Sequence, residues 1–435
     1  MELICKNLTV SEQGELYFCG RSTASLAARY GTPLYLMDED RIREKMRTYR
    51  RAGEKAFGAE KSRTLYAGKA CSFKEMARIT AQEGLYLDCV SAGEIQTALA
   101  AGFPAEKIYF HGNNKTDEDI NFAIESGIGA FVVDCTEEVA AIAKFAGEAG
   151  KKQKILLRIT PGIDTHTYEA VNTGKVDSKF GSAIETGQAK EICGLALSFP
   201  SIELMGFHCH VGSQVFDSDV FLRSAEIMLN FLSEMKGAFG YVAKELDLGG
   251  GYGVRYLAEE QAPDLEKNIL QVGEFVTKRC RELGLEMPVI LLEPGRSIVA
   301  DAGLTLYRVG SVKTIPGYKN YVSVDGGMGD NPRYALYGSR YTVYCAGKMN
   351  EKCDFLCDVA GRCCESGDII QPKVLLPASV CRGDLLAVCT TGAYNYSMAS
   401  NYNRIPRPPV VMLSEKEERL VVRRETAEDL LRFDL

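Results

Sequence analysis

The chain has 435 residues, 46% hydrophobic and 25% charged. That is an ordinary globular balance at a length suggesting two or three domains of roughly 100–200 residues each. Fifty-eight acidic against 51 basic residues leave a formal charge of −7, which excludes a strongly basic nucleic-acid binder, and no run approaches the ~20 consecutive apolar residues of a membrane-spanning helix.

The start, MELICKNLTVSEQGELYF, has no charged segment followed by an apolar one, so no secretory signal is expected. Within it NLTV-SEQG-ELYF reads as a hairpin. Short apolar runs then alternate with helix-period segments. The runs are TLYAG (64–68), LYLDCV (85–90), KIYFHG (107–112), AFVVD (130–134), KILLRIT (154–160), LMGFHCHV (204–211), ELDLGG (245–250) and VILLEPG (289–295). Helices are expected over 72–84, 91–102 and 116–127, begun by Ser72, Ser91 and Thr116 with an acid three residues on. Longer helical patterns fill 217–238 and 263–284. Eight continuously apolar strands, each followed by a helix or an excursion, suggest an α/β fold of the (β/α)8 barrel type. An open doubly wound sheet is the alternative, but the glycines at 249–253 do not fit G-x-G-x-x-G. Beyond residue 300 the texture is β-rich and punctuated by turns, as in an antiparallel β domain. The expected domains are a barrel at 36–298 and a β-sandwich or β-barrel domain built from 1–35 and 299–435.

The fifteen cysteines are odd in number and scattered, which suggests thiols in a reducing cytoplasm rather than a disulfide scaffold. Cys353-x3-Cys357 and Cys363-Cys364 lack the paired clamps and the neighbouring histidine of a zinc site. His208-x-His210 lacks a further histidine nearby, so no metal is expected.

In such barrels the chemistry collects where strands end. There lie Lys69, Asp88, His111, Asn113, Asn114, Lys115, Arg158, His208, His210, Ser213, Gly249, Gly250, Gly251, Glu293 and Arg296. Three successive glycines let backbone N–H groups approach an anion, and Arg296 offers a fork to a phosphate. The alternatives are a plain tight turn and a salt bridge. Lys69, ending an apolar strand, is either a snorkelling lysine or a Schiff-base lysine. With a phosphate cradle and an opposing acid, Glu293, the set suits pyridoxal phosphate. In the β-rich part, CESGD (364–368) places a thiol beside a carboxylate, and GAYNYSMASNYN (392–403) is a low-charge, tyrosine-rich loop.

The motifs YAGKA (66–70), DCVSAGE (88–94), HGNNK (111–115), SKFG (178–181), HCHVGSQ (208–214), DLGGGYG (247–253), EPGR (293–296), RYALY (333–337), CESGD and GAYNYSMASNYN resemble, in order and over nearly the whole chain, those of the fold type III (alanine-racemase-like) pyridoxal phosphate decarboxylases, and most closely the diaminopimelate decarboxylases. The resemblance implies decarboxylation of meso-2,6-diaminopimelate to L-lysine and CO2, the last step of lysine biosynthesis, in a homodimer with shared sites. It implies Lys69 as the cofactor-bearing lysine and Cys364 as the proton donor. It implies cofactor contacts from Asp88, Arg158, His210 (stacked on the ring), Ser213, Gly249, Gly250, Gly251, Glu293 (at the pyridine nitrogen), Gly295, Arg296 and Tyr394. Substrate contacts would come from Arg296, Arg333, Tyr337, Glu365 and Tyr394. The chain departs from the pattern at Tyr334, where the family has proline, and at Ser182, where it has an aliphatic residue. Rival readings are a related decarboxylase of carboxynorspermidine, arginine or ornithine, a racemase of the same fold, and a non-catalytic homologue that binds the cofactor.

Overall fold

The computed structural model describes residues 3–163 and 177–435. The chain forms two compact units. One comprises Met1–Glu44, Val254–Gln261 and Ile298–Leu435, the other Lys45–Gly253 and Ala262–Ser297.

The second unit is a closed parallel barrel. Its strands are Ser62–Ala67, Tyr86–Cys89, Ile108–Phe110, Ala130–Val133, Gln153–Thr160, Ile202–His208, Glu245–Asp247 and Val289–Leu292. Each pairs in parallel with the next, and the last closes on the first through Leu291 opposite Arg63. Helices on one face and side chains filling the other explain why these strands read as unbroken apolar runs. Leu65, Tyr109, Ala130, Val132, Leu156 and Leu291 form the plug inside.

Ser91 accepts from the Glu94 N–H ahead of Ala92–Leu99, and Thr116 and Asp119 make a reciprocal capping box on Asp117–Ser126, both as expected. The helix expected from Ser72 starts at Lys74, with Phe73 at the cap position, and Glu75 pairs with Arg78 at 2.8 Å.

The first unit is built on one long sheet, with the order Ile369–Pro377, Cys353–Ala360, Lys319–Val324, Gly303–Ile315, Leu34–Asp38, Val410–Leu413, Glu418–Val422. It is mixed rather than purely antiparallel. Lys319–Val324 runs parallel to Cys353–Ala360, and Leu34–Asp38 parallel to Val410–Leu413. No tight hairpin joins either pair, so nothing forces them antiparallel. The expected N-terminal hairpin forms, with Leu8–Val10 antiparallel to Leu16–Phe18. It buries Leu16 and Phe18 in the same core as Leu34, Leu36, Leu304, Leu306 and Val411.

Candidate active site

Side chains alternate along a strand, so every second residue of a barrel strand points inward. The inward positions that hold the apolar plug continue, at the strands' C-terminal ends, into Ala67, Asp88, His111, Asp134, Arg158, His208, Asp247 and Glu293. Seven of these eight are ionisable. Most of them are buried, so an acid-rich ring crowns a dry plug.

Glu293 is gripped from two sides. His208 Nε2 lies 3.0 Å from its Oε2, and His111 Nε2 lies 2.8 Å from its Oε1. The second approach is an ion-pair distance without hydrogen-bond alignment, so Oε1 is buried with acceptor capacity unused. The two imidazoles meet edge to face, 5.0 Å between ring centres. Burial alone would raise the Glu293 carboxyl, but the two histidines overcome it and hold it well below the usual carboxylate range. Its neighbours move the other way. Burial raises Asp88, with Glu293 adding to it against His111, Lys69 and Arg158. Burial and then the adjacent Glu293 push Asp247 well up. Burial lowers His208 to about 4, against the pull of Glu293. Burial, Lys69 and Arg158 take His210 well below its ordinary value. Burial thus favours the neutral forms of Asp88, Asp247, His208 and His210, and Glu293 is the carboxyl held toward its charged form.

The two histidines of HCH separate. The strand ends at His208, which bonds Glu293, while His210 accepts weakly from the Gly250 N–H at 3.4 Å. Lys69 sits on a turn, Gly68–Ala70, directly after the first barrel strand and is exposed. Its charge reaches Asp88, Glu94 and His210. Glu94, read in the sequence only as an acid at a helix start, also belongs to this end of the barrel. Its carboxylate accepts from the Val90 N–H at 2.9 Å, and burial pushes it up to about 7. Its position, six residues beyond Asp88 in the same βα turn, was the available signal.

The glycine run has steric reasons. A Cβ on Gly250 would lie 2.1 Å from the Glu293 carbonyl oxygen, and one on Gly251 2.2 Å from that of Gly212. Gly249 donates to Asp247 at 2.8 Å. Arg296, buried, sends Nε and Nη2 to Ser213 Oγ at 3.2 and 3.0 Å. A Cβ on Gly295 would crowd Ala67 at 2.9 Å. Arg158 lies over the Phe180 ring of SKFG at 4.4 Å, and Ser182 pairs with Ile159 beside it.

The remaining expected residues belong to the first unit. Arg333 is buried, with its guanidinium over the rings of Tyr337 and Tyr394 at 5.5 and 5.4 Å. Tyr394 holds φ +64°, a conformation a bulky residue rarely adopts. Cys364 and Glu365 are exposed in the turn after Cys353–Ala360. The Cys364 N–H donates to Asn403 Oδ1 at 2.7 Å, and Glu365 accepts from the Gly367 N–H at 3.2 Å.

A buried carboxylate with spare acceptor capacity, a lysine at the adjoining strand end and a glycine turn beside a serine–arginine pair fit a phosphorylated pyridine aldehyde. The comparisons agree. The family model of the pyridoxal-dependent decarboxylase, pyridoxal binding domain, matches residues 39–300. The diaminopimelate decarboxylase of Bacillus subtilis is 45% identical, over 98% of this chain and 96% of its own length. That of Mycobacterium tuberculosis is 39% identical over 99% and 97%. The chain belongs to the diaminopimelate decarboxylase family. The crystal structure of the M. jannaschii diaminopimelate decarboxylase in complex with L-lysine superposes with a TM-score of 0.92 at 33% identity, covering 100% of this chain and 99% of that one. A lysine/ornithine decarboxylase from Vibrio vulnificus in complex with putrescine reaches 0.75 at 25% identity, over 90% and 97%. The family is an enzyme family that uses pyridoxal phosphate, and that is the cofactor of this chain.

Proposed function

We propose that the chain removes the carboxylate at one stereocentre of meso-2,6-diaminopimelate, releasing CO2 and L-lysine. The observation that carries this is the end-to-end match to diaminopimelate decarboxylases joined to a barrel crowned by a clamped Glu293. A structure of one such relative holds L-lysine, the product expected here. When bound, pyridoxal phosphate supplies an aldehyde for the substrate amine and a ring that takes up the electron pair released with CO2.

The chain's residues do the rest. Lys69 Nζ would be the amine that holds the cofactor. Glu293 would hold the ring nitrogen and its proton. Gly249, Gly250, Gly251, Gly295, Ser213 and Arg296 would receive the phosphate. His210, Asp88, Arg158 and Tyr394 would complete the residues that hold the cofactor. On the substrate, Arg296 and Arg333 would take the distal carboxylate and Glu365 the distal ammonium, with Tyr337 and Tyr394 as further contacts. Cys364 Sγ gives the proton to the carbon that loses CO2. The working form is a homodimer with shared sites. A cytoplasmic setting is supported by fifteen thiols that all stay unpaired, and no helix of the described residues is long and apolar enough to cross a membrane.

The test is release of CO2 and lysine from meso-diaminopimelate with added cofactor, run beside arginine, ornithine and carboxynorspermidine. Turnover of one of these in its place overturns the substrate assignment. Lys69→Ala is expected to lose both turnover and the visible absorbance of the lysine-bound cofactor. Survival of both removes Lys69 from its role.

A further inference from the structure

Glu293 meets two imidazoles that no step above uses. Carboxylate oxygens only accept, so a histidine that bonds Glu293 presents its Nε2 hydrogen. His208 does so to Oε2 at 3.0 Å with its Nδ1 buried and without a partner, and His111 Nε2 faces Oε1 at 2.8 Å, an ion-pair distance without hydrogen-bond alignment. The three ligand-type groups lie within 4.8 Å of one another, all buried. Each sits on a different strand end, so the barrel itself sets their spacing. The other charged groups facing this cluster are Asp88, with an oxygen 3.7 Å from His111 Nε2, Asp247, Arg158 and Lys69. Of these only Arg158 and Lys69 carry basic side chains.

We propose that His111 and His208 are positioning residues that clamp the two oxygens of Glu293, fixing its plane so that the unused lone pair on Oε1 is aimed at the ring nitrogen of the cofactor. Without the clamp the carboxylate would share the crown with Asp88 and Asp247, two further carboxyls, and would exchange protons and rotamers with them. With it, Glu293 is held as the acceptor, while burial favours the protonated forms of Asp88 and Asp247. The two histidines thus act through Glu293 and touch no reacting atom. The inference rests on the reading that Glu293 faces the ring nitrogen.

The experiment compares binding of pyridoxal phosphate and of its 1-deaza analogue, which lacks the ring nitrogen, to the cofactor-stripped full chain. Fluorescence quenching gives the ratio of the two dissociation constants. The wild-type chain is expected to prefer pyridoxal phosphate by at least about tenfold, the size of one charge-assisted hydrogen bond. Glu293→Gln should bring the ratio near one; if it leaves the wild-type ratio intact, Glu293 does not face the nitrogen and the underlying reading fails. His111→Leu and His208→Leu should each cut the ratio at least about threefold, a share of that same bond. A merely structural loosening would weaken both ligands equally and keep the ratio, which overturns the proposal. Where a leucine variant does not fold, His111→Asn and His208→Asn carry the test, since the shorter polar side chain withdraws the donor from Glu293. A fall in the ratio supports the clamp, and a ratio close to wild type overturns it.

Discussion

Lys115 is a cation with almost no contact with water. Its Nζ donates to the carbonyls of Gly112 and Val132 at 2.9 Å each and to Glu138 Oε1 at 2.6 Å, and the two side chains are 2% and 4% exposed. Burial lowers the Lys115 ammonium against the pull of Glu138. All three ammonium hydrogens are therefore spent on structure, so the lysine of HGNNK is a brace between the third and fourth strand ends. Lys115→Met alone leaves Glu138 charged and buried and is expected to cost about 3–5 kcal/mol, whereas Lys115→Met with Glu138→Leu removes both charges and recovers most of it. Thermal or urea unfolding of the single and double variants checks this.

Asp330 gives a pH-dependent counterpart in the first unit. It is buried, accepts from the Tyr307 hydroxyl and from the Gly327 N–H at 3.0 Å, and burial pushes it up to about 7. An unfolded aspartate titrates near ~3.9. The folded chain thus keeps a proton that the unfolded chain loses, so the stability it contributes is full below about pH 4 and drains away as pH rises to 7. His208 works in the opposite direction, losing stability as pH falls below about 6.5, so only a difference between variants isolates Asp330. Asp330→Asn cannot ionise. Relative to wild type it is expected to gain about 2–4 kcal/mol between pH 4 and pH 8. A flat difference across that range would mean that the carboxyl is ionised when folded.

Helix ends carry a similar local logic. The capping box of Thr116 and Asp119 satisfies donors at the start of Asp117–Ser126, immediately after HGNNK. Thr116→Ala is expected to cost about 1 kcal/mol, read as a lowered unfolding midpoint with unchanged cofactor binding. That box was legible in the sequence because cap and acid stand three apart. Ser72 carried the same signature, but the helix begins two residues later, at Lys74, because the chain stays extended through Phe73. The strands of the barrel were legible as continuous apolar runs. Leu34–Asp38 was not seen as a strand, although it is an interior strand of the other sheet and is buried throughout. Its partners, Gly303–Ile315 and Val410–Leu413, lie hundreds of residues away, so no local pattern announces it. At the site, strand parity and the family motifs pointed to Asp88, Arg158 and Glu293. They did not show which histidine of HCH reaches Glu293, because alternation puts both on one side. Only the point where the strand stops separates them.

At the scale of the whole molecule, the lysine and the thiol assigned to one reaction come from different units. Lys69 follows the first barrel strand, and Cys364 stands in a turn of the mixed sheet. Both are exposed in the single chain, which is where groups completed by a second copy would be found. A two-fold dimer uses the same patch on both subunits, so whatever one copy lends it also receives. If each site takes Lys69 from one subunit and Cys364 from the other, a Lys69→Ala chain and a Cys364→Ala chain are both inactive alone. Their heterodimer then has one site carrying both defects and one carrying neither. Random reassociation of an equal mixture makes about half of the dimers mixed, with one of two sites intact, so about a quarter of wild-type activity should return after mixing and refolding. If lysine and thiol came from the same subunit, every site in the mixture would carry one defect and no activity would return. The yield of that mixing experiment, measured as lysine formed per protomer, separates the two arrangements without reference to apparent mass.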